Sequence, residues 1–350
     1  MQAVCYPGVA MRVMPLFLCS SLFACSDPSA EETPDPPVKV EIREQKMQVR
    51  DTSLFVRDVG PLDAPTLVVV HGGPGGNHLG LRALEELAPR FRVVLYDQRG
   101  TGESDRFPVS AADQSALTSL SLQENVEDLE ALRALLQAEK ITVLGHSWGG
   151  ALATFYAAAY PERVERLIVY SGGPEDSELN DAKVAAHEAK LTEDESLQFE
   201  EGTAALVEAV QSGAPQEQID QLFLDVAEVL FPALYCVRPT ESPAADGRAG
   251  FWSNRGALQY VDAFDRAAFA PTLGAVRAPA LLTWGRCEPS PQERLLYLLD
   301  NLPNARFVIF EQSGHNALEE EHETFVSTVR AFVSDEPLPV PFYASRDQVP

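Results

Sequence analysis

One serine stands where a sequence could lift a nucleophile out of its backbone. Val143 to Gly150 read VLGHSWGG, and the spacing Gly145-x-Ser147-x-Gly149 outlines a nucleophile elbow. There a strand turns sharply into a helix and the serine hydroxyl is exposed at the turn. Attack on a carbonyl also needs a base, a carboxylate to orient it, and donors for the oxyanion. His315, in FEQSGHNALEE, follows the apolar run RFVIF and precedes the last helical stretch, where the base belongs. Of the other histidines, His71 and His146 sit in glycine-rich turns, while His187 and His322 lie in charged helical stretches and read as surface residues. Glu288, in GRCEPSP, follows ALLTWG and precedes His315, completing a Ser…acid…His order. Glu175 or Asp176, after the preceding strand, is the alternative acid. For the oxyanion hole, one donor is the Trp148 backbone N–H. The other is that of Gly73, in the loop HGGPGG from His71 to Gly76. Each such donor is typically worth about 10²–10³ in turnover, roughly 3–4 kcal/mol.

These residues need strands ending at one edge of a sheet. TLVVV, FRVVLY and ITVLG are continuous apolar runs, as expected of parallel strands buried on both faces. VKVEIREQKMQVR and TSLFVRDVG read as two earlier strands, and LGLRALEELAPR has helical spacing. Leu122, Val126, Leu129, Leu132 and Leu136 form the apolar stripe of an amphipathic helix. Strand and helix alternate up to RVERLIVYSGG, which implies right-handed crossovers and an α/β fold with a mostly parallel central sheet flanked by helices. From Glu175 the rhythm changes to acidic, helix-prone sequence, and it resumes at APALLTWG. The organisation expected is a first core part at 38–174, an inserted helical cap at 175–266, a second core part at 267–335 and a loose, Pro-rich tail at 336–350.

The first residues stand apart from the fold. From Met11 the chain has one arginine, an apolar segment and then small residues, the layout of an export signal ending at Ala24. Leu22-Phe23-Ala24-Cys25 resembles the bacterial lipobox, so Cys25 is the expected lipidation site and mature N-terminus. The acidic, Pro-rich stretch 25–37 would then act as a tether, placing the protein on a membrane of the bacterial envelope, facing periplasm or exterior. The formal charge of −25, from 52 acidic against 27 basic residues, argues against nucleic acid or an anionic membrane surface as a binding partner. Once Cys5 and Cys19 leave with the signal and Cys25 carries lipid, Cys236 and Cys287 remain. They read as two independent buried thiols, with a bridge tying cap to core as the alternative.

HGGPGG, YDQRGTGES, GHSWGG and SGH together resemble the proline iminopeptidase-like branch of the α/β-hydrolase superfamily. The likeness is strong from Thr66 to Gly173 and looser from Ala278 to His315. It implies an α/β-hydrolase fold with a helical cap, Ser147 and His315 as nucleophile and base, Gly73 and Trp148 as oxyanion donors, and structural roles for Asp97 and Arg99. The family's GRxD element falls on Gly285-Arg286-Cys287-Glu288, with glutamate in place of aspartate. Members that release N-terminal residues often carry Trp-x-x-Trp-Glu in the cap to hold the substrate amine. Here the tryptophans are Trp148, Trp252 and Trp284, so that element is absent. The function expected is a serine hydrolase, without metal or cofactor, acting on short peptides as an aminopeptidase. The alternatives are a carboxylesterase or lactonase, and a non-catalytic binding homologue.

Overall fold

The computed structural model describes residues 40–239 and 247–350. The signal, Cys25 and the tether lie outside the described residues. No helix among the described residues is long and apolar enough to cross a membrane.

β1 (Ile42–Val49) and β2 (Thr52–Val59) form an antiparallel hairpin. β3 (Thr66–Val70), β4 (Arg92–Tyr96), β5 (Ile141–His146), β6 (Val164–Tyr170), β7 (Ala280–Gly285) and β8 (Ala305–Phe310) follow. They form one eight-stranded sheet in the order β1-β2-β4-β3-β5-β6-β7-β8. β2 joins β4 antiparallel, and every pair from β4 to β8 is parallel. The chain runs outward from β3 to β4 and then back across to β5. The strand order therefore reverses at β3 and β5, where open α/β sheets leave a crevice beyond the carboxyl ends of their strands. The glycine loop at His71 and the elbow at Ser147 both open into that crevice.

α1 (Leu122–Leu135) begins at Ser121, whose hydroxyl accepts the Glu124 N–H, and α2 (Trp148–Ala159) follows β5. The stripe Leu122, Val126, Leu129, Leu132 and Leu136 packs with Leu152 and Tyr156 of α2 against one face of the sheet. The segment Leu79–Leu87, read from its helical spacing, is a 3₁₀ helix rather than an α-helix. Its buried residues are Leu81, Leu84 and Leu87, and a spacing of three lines up along one edge when there are three residues per turn.

Between β6 and β7 the described residues form α3 (Ser177–Glu188), α4 (Glu193–Ser212), α5 (Gln216–Leu230), α6 (Phe251–Ala257) and α7 (Arg266–Leu273). A capping box starts α4: the Thr192 side chain accepts the Glu195 N–H, and the Glu195 side chain accepts the Thr192 N–H. Leu206 and Ala209 of α4 pack on Ile219 of α5. After β7 come α8 (Glu293–Asn301), α9 (Ala317–Glu320) and α10 (His322–Val333), the last burying Phe325, Val329 and Phe332 on the opposite face of the sheet.

Two further expectations change here. The C-terminal segment is not loose: Tyr343 exchanges two 2.8 Å backbone hydrogen bonds with Phe307 of β8, and Arg346 pairs with Glu293 at 2.9 Å and with Asp300 at 2.6 Å. It thereby covers an edge strand whose backbone groups would otherwise be unpaired. Cys236 and Cys287 are not separate thiols but a disulfide, with Cα atoms 5.0 Å apart. The chain leaving α5 runs beside the loop after β8, with Leu234 O accepting the His315 N–H at 2.7 Å, and this brings the two cysteines within bridging range.

Candidate active site

Ser147 joins β5 to α2 with φ 56° and ψ −121°, a left-handed conformation that side chains rarely adopt. Its N–H donates to Tyr170 O at 2.8 Å, pinning the turn to β6. A Cβ at Gly145 would come within 1.9 Å of Gly149 O, so the strand can fold back on the helix only with glycine there. The spacing of the motif thus has a steric cause.

The structure brings His315 and Glu288 together. His315 Nδ1 lies 2.5 Å from Glu288 Oε2, and the glutamate side chain is 0% exposed. A carboxylate only accepts, so Nδ1 carries the proton and Nε2 is left with its lone pair, as a base requires. Burial alone would raise the Glu288 carboxyl. The charge and hydrogen bond of His315, then Arg294 and Ser290, outweigh it and hold the carboxyl at about 2. Its second oxygen accepts the Ser290 N–H at 3.1 Å. The alternative acids point elsewhere. Glu175 pairs with Lys183 and with Arg294, whereas Asp176 accepts the Leu179 N–H at 3.0 Å and pairs with Arg266 at 2.7 Å.

His146 links the Ser147 turn to His315. Its ring stands 4.9 Å from that of His315 and 4.3 Å from that of Tyr170, centroid to centroid, and its Nε2 is 3.2 Å from His315 O. Burial, then the nearby His315, push its pKa down to about 3, so the ring is neutral and its Nε2–H donates to that carbonyl. His187, expected on the surface, instead turns inward to place Nε2 2.8 Å from Ser290 Oγ; burial first, with the charge of its surroundings, lowers it to about 3. Arg294 donates to Ser171 O at 3.2 Å, approaches Glu175 at 3.5 Å and Glu288 at 4.0 Å, and stacks over Trp284. The sequence carries no local signal for His187 or Arg294, because their partners come from distant segments. His146 was visible inside the elbow, but its acceptor was not.

The glycine loop stands against the serine: a Cβ at Gly72 would lie 2.9 Å from Ser147 Cβ. Gly73 follows at φ +118°, joined to Pro74 by a cis peptide bond. The Trp148 N–H is the first of α2 and has no acceptor within the helix. One residue ties the glycine loop to the start of α2. Gln98 accepts the Trp148 indole N–H at 2.9 Å, donates its amide to His71 O at 2.8 Å, and its backbone N–H donates to His71 Nε2 at 3.1 Å. Asp97 accepts the His78 and Glu103 N–H groups, both at 2.8 Å. Arg99, with no exposed side chain, forms two 2.7 Å bonds to Asp128. From the cap side, Asn254 of α6 donates to Pro74 O at 2.9 Å and Ser253 donates to Arg99 O at 2.8 Å. Among the described residues no group of three or more His, Cys, Asp or Glu is placed to hold a metal ion.

Comparison with known proteins agrees with this geometry. Residues 65–322 match the family described as the α/β hydrolase fold. A proline iminopeptidase of Lactobacillus delbrueckii subsp. bulgaricus is 29% identical over 307 residues, covering 82% of this chain and 96% of that protein. Among solved structures, a proline iminopeptidase-related protein from Thermus thermophilus superposes with a TM-score of 0.61 at 24% identity, over 84% of this chain and 98% of that one. An enol-lactonase from Burkholderia xenovorans does so with a TM-score of 0.55 at 19% identity, over 83% of this chain and all (100%) of that one. Those two likenesses speak for the fold alone. The chain belongs to the α/β-hydrolase family and is a proline iminopeptidase-like member of it.

Proposed function

We propose that this hydrolase works through an acyl-enzyme formed on Ser147. His315 Nε2 takes the hydroxyl proton as oxygen attacks an amide or ester carbonyl, and returns it to the leaving group. Glu288 holds the imidazole and stabilises its cation, while the N–H groups of Gly73 and Trp148 receive the oxyanion. Water then repeats the sequence on the acyl-enzyme. The observation that carries this reading is the buried Glu288–His315 hydrogen bond, whose base is linked through His146 to the strained serine turn.

The favoured substrates are short peptides losing their N-terminal residue, supported by the similarity to proline iminopeptidases. A specific observation favours a second reading, ester or lactone hydrolysis. Glu175, a buried carboxylate where the chain passes from β6 into the cap, is already paired with Lys183 and Arg294 and so is poorly placed to receive a substrate amine. Turnover of proline and alanine aminoacyl amides beside short-chain esters, by wild type and Ser147→Ala, separates the two. Amide cleavage lost in the variant supports the peptidase, whereas ester cleavage alone supports the second reading.

The lipobox-like sequence at Cys25 supports anchoring to the bacterial envelope, and a disulfide suits an oxidising compartment. Cys25→Ala expressed in a bacterium should leave the membrane fraction; an unchanged distribution would remove the anchor from the account.

A further inference from the structure

The disulfide sits where the acid and the base meet, and this defines what it does beyond tying two segments. Cys287 immediately precedes Glu288, and its N–H donates to Ser313 O in the base loop at 2.9 Å. Cys236 lies two residues after Leu234, whose carbonyl accepts the His315 N–H at 2.7 Å. The carboxylate of Glu320 accepts the Cys236 N–H on one oxygen and the Gly314 N–H on the other, both at 2.7 Å. The packing is close enough that a Cβ at Gly314 would lie 2.1 Å from Leu234 O, and one at Gly285 would lie 1.9 Å from Gly314 O. The base loop is thus held between the cap segment that follows α5 and the chain that carries the acid. Among the described residues, the cross-link between those two outer chains is the Cys236–Cys287 bond.

We infer that the Cys236–Cys287 disulfide is a positioning element of the hydrolytic site, setting the Glu288–His315 geometry by clamping the base loop between cap and acid loop. This rests on the serine-hydrolase reading. Opening the bond leaves residues 234–236 tied to the base loop and α9 by hydrogen bonds alone, so the acceptor of the His315 N–H can shift with the cap. An error on the order of 1 Å in the placement of a reacting group costs about 10²-fold in rate.

The test measures how fast an alkyl fluorophosphonate modifies Ser147, a readout that needs the base but not the natural substrate. Labelling is followed by mass spectrometry on the oxidised chain, on the chain reduced by dithiothreitol to two thiols, and on the Cys236→Ser/Cys287→Ser double variant. Near-UV circular dichroism reports folding in parallel. Reduction is expected to slow the limiting labelling rate on the order of 10–100-fold with little change in the reagent concentration giving half-maximal rate. Reoxidation should restore it, and the double variant should be slow and indifferent to reductant. Folded reduced protein labelled at the wild-type rate would overturn the inference. So would a change confined to the half-saturating concentration, which would make the bridge a gate. Loss of labelling that only tracks loss of near-UV signal would make it a general brace and also overturn it. If Ser147 of the oxidised chain takes no label, the serine-hydrolase reading itself falls, and the inference with it.

Discussion

Glu288 Oε2 lies 2.5 Å from His315 Nδ1 with the whole carboxylate out of solvent. Glu288→Gln replaces an obligate acceptor with a group that can also donate, so the imidazole loses its preferred tautomer and the charge that stabilises its cation. Turnover is expected to fall by about 10³–10⁴-fold with KM little changed. A variant retaining more than a tenth of wild-type turnover would remove Glu288 from this role.

The same carboxyl makes a pH prediction. Its folded value of about 2 is below its ordinary 4.5, so its contribution to stability is fully present above pH 4.5 and is lost as pH falls toward 2. Thermal melts at about pH 5 and about pH 3 should therefore differ less for Glu288→Gln than for wild type. Equal differences would contradict the assignment.

His146 and His187 act with a different window. Both are held neutral by burial, at about 3 against an ordinary 6.5, so the unfolded chain takes up protons that the folded chain refuses. Stability should decline as pH falls from 6.5 toward 3, and His187→Gln should flatten that decline while leaving turnover nearly unchanged. His146→Phe should flatten it as well, but also lower turnover by roughly tenfold, because the His315 carbonyl loses its donor. Wild-type turnover in that variant would show that the 3.2 Å contact does not position the base.

Arg99 and Asp128 test the buried ion pair behind the loop after β4. Arg99→Leu removes the bidentate partner of the nearly inaccessible Asp128 and leaves it only Arg50 at 3.2 Å, so unfolding should be easier by up to about 3 kcal/mol. Arg99→Leu with Asp128→Leu should recover part of that loss. Denaturant titration measures both, and a double variant no better than the single one would contradict a buried pair.

Much of the candidate site was legible because its parts are local backbone motifs. The elbow around Ser147 needs glycines within two residues, and His315 and Glu288 each follow an apolar strand, so their order along the chain located them. The 3₁₀ spacing of Leu81, Leu84 and Leu87 was present in the sequence but is shared with an α-helical face. What was not legible depends on distant partners. The cysteines are separated by 51 residues, His187 meets Ser290 across the cap boundary, and Arg294 draws on the loops after β6 and β7. The proline-rich composition of residues 336–350 suggested a loose segment and concealed the two hydrogen bonds of Tyr343 to β8.

That docked segment is testable too. Truncation after Asp335 uncovers β8 and strands Glu293 and Asp300 without Arg346. The truncated chain should melt several degrees lower and show concentration-dependent association in light scattering. Unchanged melting and monodispersity would mean that the contact carries no stability.

The central claim is that Ser147 is the nucleophile, and covalent trapping addresses it most directly. Intact-mass and peptide analysis after treatment with an alkyl fluorophosphonate should find a single adduct on Ser147, absent from Ser147→Ala and formed far more slowly in His315→Ala. An adduct elsewhere, or equal labelling of the Ser147→Ala chain, would contradict the account.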